Sequence, residues 1–135
     1  VKSKTGGDNK RALVRFTLPV IPSDATIDSA ALKLKIVSAV SRTHNAHRVT
    51  KNWTEGTGAD SSGATWTNFN AGTAWTTAGG DFESSSSSVA TGTTADVWMS
   101  WDVKSDVEAF VNSGVANYGW LIKDGTEDAT SVEVQ

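Results

Sequence analysis

The chain has 135 residues, a formal net charge of −3 at pH 7 and no cysteine. This length fits one domain over residues 1–135 with its own hydrophobic core. Without cysteine, disulfides and thiol chemistry are excluded. No apolar run approaches membrane-spanning length, so we expect no membrane insertion.

Two segments in the first third of the chain alternate apolar and polar residues, which indicates half-buried strands. The inward rows are Ala12, Val14, Phe16 and Leu18 in the first segment and Ala30, Leu32, Leu34 and Ile36 in the second. Pro19 and Pro22 end the first segment. Residues 46–51 are interpreted as a third strand.

The second half contains further strands and one short helix. Val97, Met99, Trp101 and Val103 form another inward row, with Trp98 facing outward. A helix is predicted around residues 104–113, with Ser105 as N-cap, Glu108 at the third helical position and Gly114 ending it. Residues 118–123 and 130–134 are interpreted as the last strands. The pattern predicts an all-β antiparallel sandwich whose core contains Val14, Phe16, Leu32, Leu34, Ile36, Trp101, Phe110 and Leu121.

Residues 53–82 form a long loop rich in Trp, Gly and Thr, without apolar periodicity. It carries Trp53, Trp66 and Trp75 together with Phe69 and Phe82. Aromatic residues are rare in disordered segments, so we expect an ordered loop. Its aromatic side chains either pack among themselves or offer a stacking surface.

Charge is segregated along the sequence. Residues 1–51 have a balance of +7, whereas residues 52–135 have a balance of −10. This segregation predicts either a basic face opposite an acidic loop region or solvated strand faces that merely differ in composition. The negative net charge and the absence of a known motif argue against nucleic-acid binding.

A series of short segments, taken in order, resembles the DNRLRE-type domain family, which includes disaggregatase-related repeats and alginate-binding modules of polysaccharide lyases. The segments are KRALVRF (10–16), IP (21–22), ATIDSAAL (25–32), HRV (47–49), WTEG (53–56), GATW (63–66), GGDF (79–82), WDV (101–103) and NYGWLI (117–122). The resemblance implies a jelly-roll-like β-sandwich that is part of a longer secreted or surface protein and serves as a carbohydrate-binding or structural module and not as a catalyst.

The resemblance also implies a strand before the first segment and another after the last. Only nine residues precede Lys10, and the sequence ends at Gln135. We therefore expect at least one unpaired sheet edge, which a strand from a neighbouring chain or domain could fill.

Five residues are candidates for ligand binding. Arg11, Arg15, Lys33 and Lys35 point away from the predicted core, and they would form a cationic patch for uronic-acid carboxylates if their two strands are neighbours. The alternative is charge that only keeps a sheet soluble. Trp98 is the Trp most expected to be exposed as a platform for sugar rings. Trp53, Trp66, Trp75 and Trp120 are expected mainly to pin the loop to the sandwich.

Carboxylates in the loop are candidates for calcium binding. Glu55, Asp60 and Asp81 offer oxygen ligands, although no EF-hand spacing is present. The alternative is solvated acids. His44 and His47 lie three apart, on opposite faces of a strand, and are interpreted as ordinary polar surface.

Two functions remain open on these grounds. The first is a non-catalytic carbohydrate-binding module, outside the cell or on its surface, for an acidic polysaccharide. The second is a structural or adhesive module of an extracellular filament, sheath or surface layer, assembled by subunit or strand contacts.

Overall fold

The computed structural model describes residues 1–4, 6, 8–37, 41–59, 61–127 and 132–133. The strands are β1 (Lys2–Ser3), β2 (Ala12–Val14), β3 (Ala31–Lys35), β4 (Arg42–Arg48), β5 (Asn68–Asn70), β6 (Thr73–Ala74), β7 (Ser88–Gly92), β8 (Trp98–Asp102), β9 (Trp120–Asp124) and β10 (Val132–Glu133), and helix α1 spans Lys104–Asn112. Within the described ranges no helix is both long and apolar enough to span a bilayer.

The strands form antiparallel sheets, which confirms the predicted all-β sandwich with one short helix. The largest sheet has the order β2-β9-β4-β7, and β3 pairs with β8. Strands β1 and β10 pair near the chain ends, and β5 and β6 form a hairpin inside the long loop. The third strand lies at Arg42–Arg48, earlier than its predicted position.

The main core lies between one face of the four-stranded sheet and the layer formed by β3, β8 and α1. Its buried residues are Leu32, Ile36, Ala46, Met99, Trp101, Val103, Val107, Trp120 and Ile122, with Val14, Leu34 and Phe110 packed at its margin. The alternation in β3 and β8 therefore has the predicted phase.

One of the predicted core positions, Phe16, is wrong, and Leu121 is in the core but on the other face of the sheet. Phe16 is 52% exposed because β2 ends at Val14, and the chain no longer follows a strand where the alternation was extrapolated. Leu121 is buried, but it faces the opposite side of the sheet, where it joins a second cluster.

Helix α1 lies where the sequence predicts it, but it begins differently. Val103 occupies the N-cap position and no side chain caps the helix, so the predicted Ser105–Glu108 capping box does not form. Instead, the Asp102 side chain accepts a hydrogen bond from the Lys104 backbone N–H at 3.0 Å. Gly114 adopts a φ of 66° immediately after the helix, the left-handed conformation typical of a helix end.

The side of the sandwich between β2 and β3 has free sheet edges. Among the described residues, β2 pairs only with β9 and β3 pairs only with β8. This agrees with the expectation of an unpaired edge. Gly119 fixes the approach of β9 to β2, since a Cβ at this position would collide with the Val14 carbonyl oxygen.

Candidate functional site

The long loop forms a third layer on the outer face of the four-stranded sheet. Its buried centre consists of Val49, Trp53, Trp75 and Leu121. The Trp53 indole N–H donates to the Tyr118 carbonyl at 2.8 Å, and the Trp75 indole N–H donates to the Thr65 carbonyl at 2.9 Å. These contacts confirm that Trp53 and Trp75 pin the loop. Trp120 is also buried, but in the main core, where it donates to Asp106 at 2.7 Å.

Asp81 holds one of the turns in this layer. Its carboxylate accepts hydrogen bonds from the backbone N–H groups of Thr76 and Thr77, at 3.0 and 3.1 Å. Burial raises the pKa of Asp81, but these hydrogen bonds outweigh it and keep the pKa below its usual value. The carboxylate therefore already has a structural partner set.

A groove of about 450 Å³ opens between the loop layer and the start of β2; we call it the loop groove. Its walls combine aromatic rings with polar groups. It is lined by Asn9, Lys10, Arg11, Leu13, Trp53, Thr54, Glu55, Gly56, Ala64, Thr65, Trp66, Trp75, Gly79 and Leu121. Trp53 and Trp75 are buried, whereas Trp66 is 40% exposed and is the accessible indole of the groove. This volume and composition are typical of small-ligand sites.

Arg11 holds Trp66 in place. Its guanidinium carbon lies 4.7 Å from the Trp66 ring centroid and 5.4 Å from that of Phe82. The same guanidinium binds Glu127 through two hydrogen bonds of 2.7 Å and donates to the Gly79 carbonyl at 2.8 Å. Burial raises the pKa of Glu127, but the Arg11 bonds prevail and hold that pKa below its usual value. Arg11 thus grips an internal carboxylate, not one left free for a ligand.

The predicted single cationic patch does not exist. Arg11 and Arg15 belong to the β2 side of the four-stranded sheet, while Lys33 and Lys35 lie on β3 in the other layer. Arg15 donates to the Asn52 side chain at 2.9 Å and lies over Trp53. The strands carrying the four cations are not neighbours, so the condition for one patch fails.

Lys33, Lys35 and Trp98 are brought together. They share the outer face of the β3–β8 pair, where Lys35 lies directly across from Trp98 and Lys33 across from Ser100. Trp98 is 64% exposed, as the sequence predicted.

The calcium prediction stays open. Glu55 is exposed at the loop groove, Asp81 caps its turn, and Asp60 lies outside the described residues. Within the part of the chain that the structure describes, no group of three or more His, Asp or Glu side chains is placed to hold a metal ion.

His44 and His47 are not polar surface, as the sequence had suggested, since both are buried. They face opposite sides of the sheet. His44 points into the main core, and His47 packs against Phe82 in the loop layer with ring centroids 4.9 Å apart. Burial lowers the pKa of both imidazoles.

Comparison with known protein families gives a match. The model of carbohydrate-binding module family 96 matches residues 1–135. The chain belongs to this family. No curated protein and no solved structure gave a significant match. The prediction that the protein is a carbohydrate-binding module is thereby confirmed at the level of the class.

Sequence reasoning missed most of the groove of this module. Asn9, Lys10, Thr54 and Thr65 were not singled out, because isolated polar residues in turns carry no periodic signal. Trp66 was grouped with the pinning residues. The only sequence feature that distinguishes it is its place beside small residues in GATW, where little apolar surface is available to cover an indole.

Proposed function

We propose that this protein is a non-catalytic extracellular module of the DNRLRE type that binds a polysaccharide in the loop groove. The observation that carries the proposal is the half-exposed indole of Trp66 in a mainly apolar groove that also presents amide, hydroxyl and charged side chains. A sugar ring has apolar C–H faces and polar hydroxyl edges. An indole beside hydroxyl, amide and charged groups complements both.

Binding would use Trp66 as the stacking surface and the groove rim for hydrogen bonds. Thr54 and Thr65 provide hydroxyls, Asn9 an amide, and Glu55 a carboxylate that accepts from sugar hydroxyls. Direct bonds and bridging waters serve equally well in a groove this open. The Arg11 guanidinium already packs against one face of the Trp66 indole. The indole is therefore ordered before a sugar binds, which lowers the entropy cost of binding.

Charge near the groove favours an acidic polysaccharide. Lys10 lines the groove, and Arg15 directly follows strand β2. Among the described residues, neither of these two side chains forms an ion pair. An ammonium or guanidinium group without an internal carboxylate partner is available to a uronic-acid carboxylate. Glu55 opposes this attraction only at its own end of the groove.

Affinity gel electrophoresis tests the proposal. We expect the wild-type protein to be retarded by at least one of alginate, polygalacturonate and galactomannan, and Trp66→Ala to lose the part of that retardation that the loop groove provides. Trp66→Phe, which keeps a ring, should retain part of it. Phe16→Ala is the matched control, because it removes an exposed aromatic side chain outside the groove. Equal retardation of Trp66→Ala and wild type would reject the loop groove as the site.

One observation favours a second function. The free edges of β2 and β3 are suited to strand addition, which would serve a structural or adhesive module that assembles through its sheets. This alternative predicts self-association that increases with protein concentration in analytical ultracentrifugation. A proline substituted in β3, at a residue whose backbone N–H faces the free edge, should abolish that association. A monomer at millimolar concentration would exclude it.

A further inference from the structure

A second surface with the chemistry of a sugar platform lies on the other layer of the sandwich. The outward residues of β3 and β8 are Ala31, Lys33, Lys35, Trp98, Ser100 and Asp102; we call this surface the sheet face. Strand alternation places Met99 and Trp101 in the core and leaves Trp98 outside. Val37, which lies beyond the end of β3, is 66% exposed.

The antiparallel register places two lysines on the strand beside Trp98. Lys35 is its direct cross-strand neighbour and Lys33 is the diagonal one, so both side chains share its face of the sheet. Lys33 has no ion pair among the described residues. Lys35 forms an ion pair with Asp96 at 3.1 Å, but both side chains are about half exposed or more. Such an exposed pair is weak and exchanges readily with another carboxylate.

The polar groups of the sheet face match an acidic sugar. Lysine ammonium groups beside an indole can bind a carboxylate while the sugar ring stacks. The Ser100 hydroxyl lies across from Lys33, within the same surface, and can bond a sugar hydroxyl. Asp102 lies at the far end of the surface, across from Ala31, where it does not face the indole.

The loop groove and the sheet face are on opposite sides of the molecule. The loop layer covers one face of the four-stranded sheet, the β3–β8 layer covers the other, and the sheet face is the outer surface of that second layer. Packed sheets are about 10 Å apart, so two full layers of side chains separate the two surfaces. One sugar ring therefore cannot contact both.

We propose that the sheet face is a second binding site, for the uronic-acid units of an acidic polysaccharide, and that the module is bivalent. The bivalent part rests on the proposed function of the loop groove. Two sites on opposite sides bind separate chains or distant parts of one chain, which increases avidity and cross-links the polymer without any further contact.

Cross-linking of soluble polygalacturonate and alginate, followed by light scattering at low salt, tests the inference. Protein alone and polymer alone provide the baselines. We expect wild type to increase scattering above both baselines. Trp98→Ala and Trp66→Ala should each lose this increase while each is still retarded in an affinity gel, and the double variant should lose retardation as well. Phe16→Ala should behave like wild type, and the melting temperature of Trp98→Ala should be unchanged, since its indole is exposed.

The outcomes separate the two proposals. If Trp98→Ala cross-links like wild type, or if Trp66→Ala alone abolishes all retardation, the second site is overturned and the loop groove stands. If Trp98→Ala abolishes retardation and Trp66→Ala has no effect, the loop groove is overturned and the sheet face stands.

The charge of the ligand is tested separately. Replacing Lys33 and Lys35 together by Gln should abolish cross-linking of the two uronate polymers, and added salt should weaken the wild-type effect. Unchanged cross-linking by this variant, or no binding of either uronate polymer by wild type, would overturn the acidic ligand class.

Discussion

At the scale of single residues, the candidate site depends on Arg11 as a supporting group. Its guanidinium joins Glu127, the Gly79 carbonyl and two aromatic rings, and its side chain is only 15% exposed. An arginine on the polar side of a strand suggests solvent or ligand contact. Here the same position anchors the loop layer to the sheet because that layer covers the strand.

Arg11→Ala should therefore destabilise the fold. Removing one partner leaves the Glu127 carboxylate largely buried and without its bidentate donor, and we expect a loss of about 2–4 kcal/mol in the free energy of unfolding. Arg15→Ala is the control, since Arg15 is exposed and its guanidinium makes one hydrogen bond, to Asn52, and a ring contact with Trp53 among the described residues; its loss should stay below about 1 kcal/mol. Urea denaturation measures both. Similar losses in the two variants would contradict the supporting role.

His44 makes stability depend on pH. Burial lowers its pKa below the usual value of about 6.5, so the unfolded chain binds more protons than the folded one between the folded pKa and about 6.5. The stability contribution is complete above about pH 6.5 and is lost as the pH falls through the folded pKa. His47 acts in the same direction.

We expect the free energy of unfolding to fall as pH is lowered below about 6.5, with a shallower slope in His44→Leu. Denaturation curves at half-unit steps from pH 8 to pH 5 provide the measurement. His47→Leu should reduce the slope too, because its imidazole is also buried. Identical slopes in wild type and both variants would show that neither histidine is responsible.

At the scale of elements, regular strands, the helix and an ordered loop pinned by Trp53 and Trp75 were predictable from the sequence, while the distant partners of the loop layer were not. The strands and the helix have local patterns: apolar residues alternate in β3 and β8 and recur at helical spacing in α1. Each pattern gives its element one buried face. The loop layer depends on distant contacts: Trp53 reaches Tyr118, and Arg11 reaches Glu127, which is 116 residues away. The strand predicted from the alternation around β2 was also too long, since it included Phe16. Alternation of apolar and polar residues does not show where the pairing of a strand ends.

The loop layer should detach without unfolding the sandwich. Its buried centre is separate from the main core, since the four-stranded sheet lies between them. Trp75→Ala removes one large buried side chain and the indole bond to Thr65, so residues 54–80 should lose protection from hydrogen exchange and proteolysis.

The exchange rates of β3, β8 and β9 amides in Trp75→Ala should remain close to wild type. Trp66→Ala is the matched control, because this indole is partly exposed and makes no indole hydrogen bond among the described residues. A uniform loss of protection across the chain would contradict separate layers.

At the scale of the whole molecule, the charge segregation of the sequence is largely cancelled by folding. Basic residues of the first 51 positions pair with acids of the remainder, as in Arg11–Glu127, Arg42–Asp124, Arg48–Asp106 and Lys35–Asp96. Residues that are far apart in the sequence are thus in contact in the fold. The segregation of charge along the sequence therefore does not produce a basic face opposite an acidic one. Lys10, Arg15 and Lys33, which form no ion pair among the described residues, lie on the β2 side near the loop groove or on the sheet face, which is where an acidic polysaccharide would meet them.

The most direct test that polysaccharide binds at the accessible aromatic residues is an NMR titration that follows the indole N–H signals. Six tryptophans give six such signals, spread over the loop layer, the main core and the sheet face. Added uronate oligosaccharide should shift the Trp66 signal, and the Trp98 signal in parallel, while those of Trp101 and Trp120 stay fixed in the core. Binding that leaves Trp66 unmoved would contradict the loop groove as the carbohydrate site.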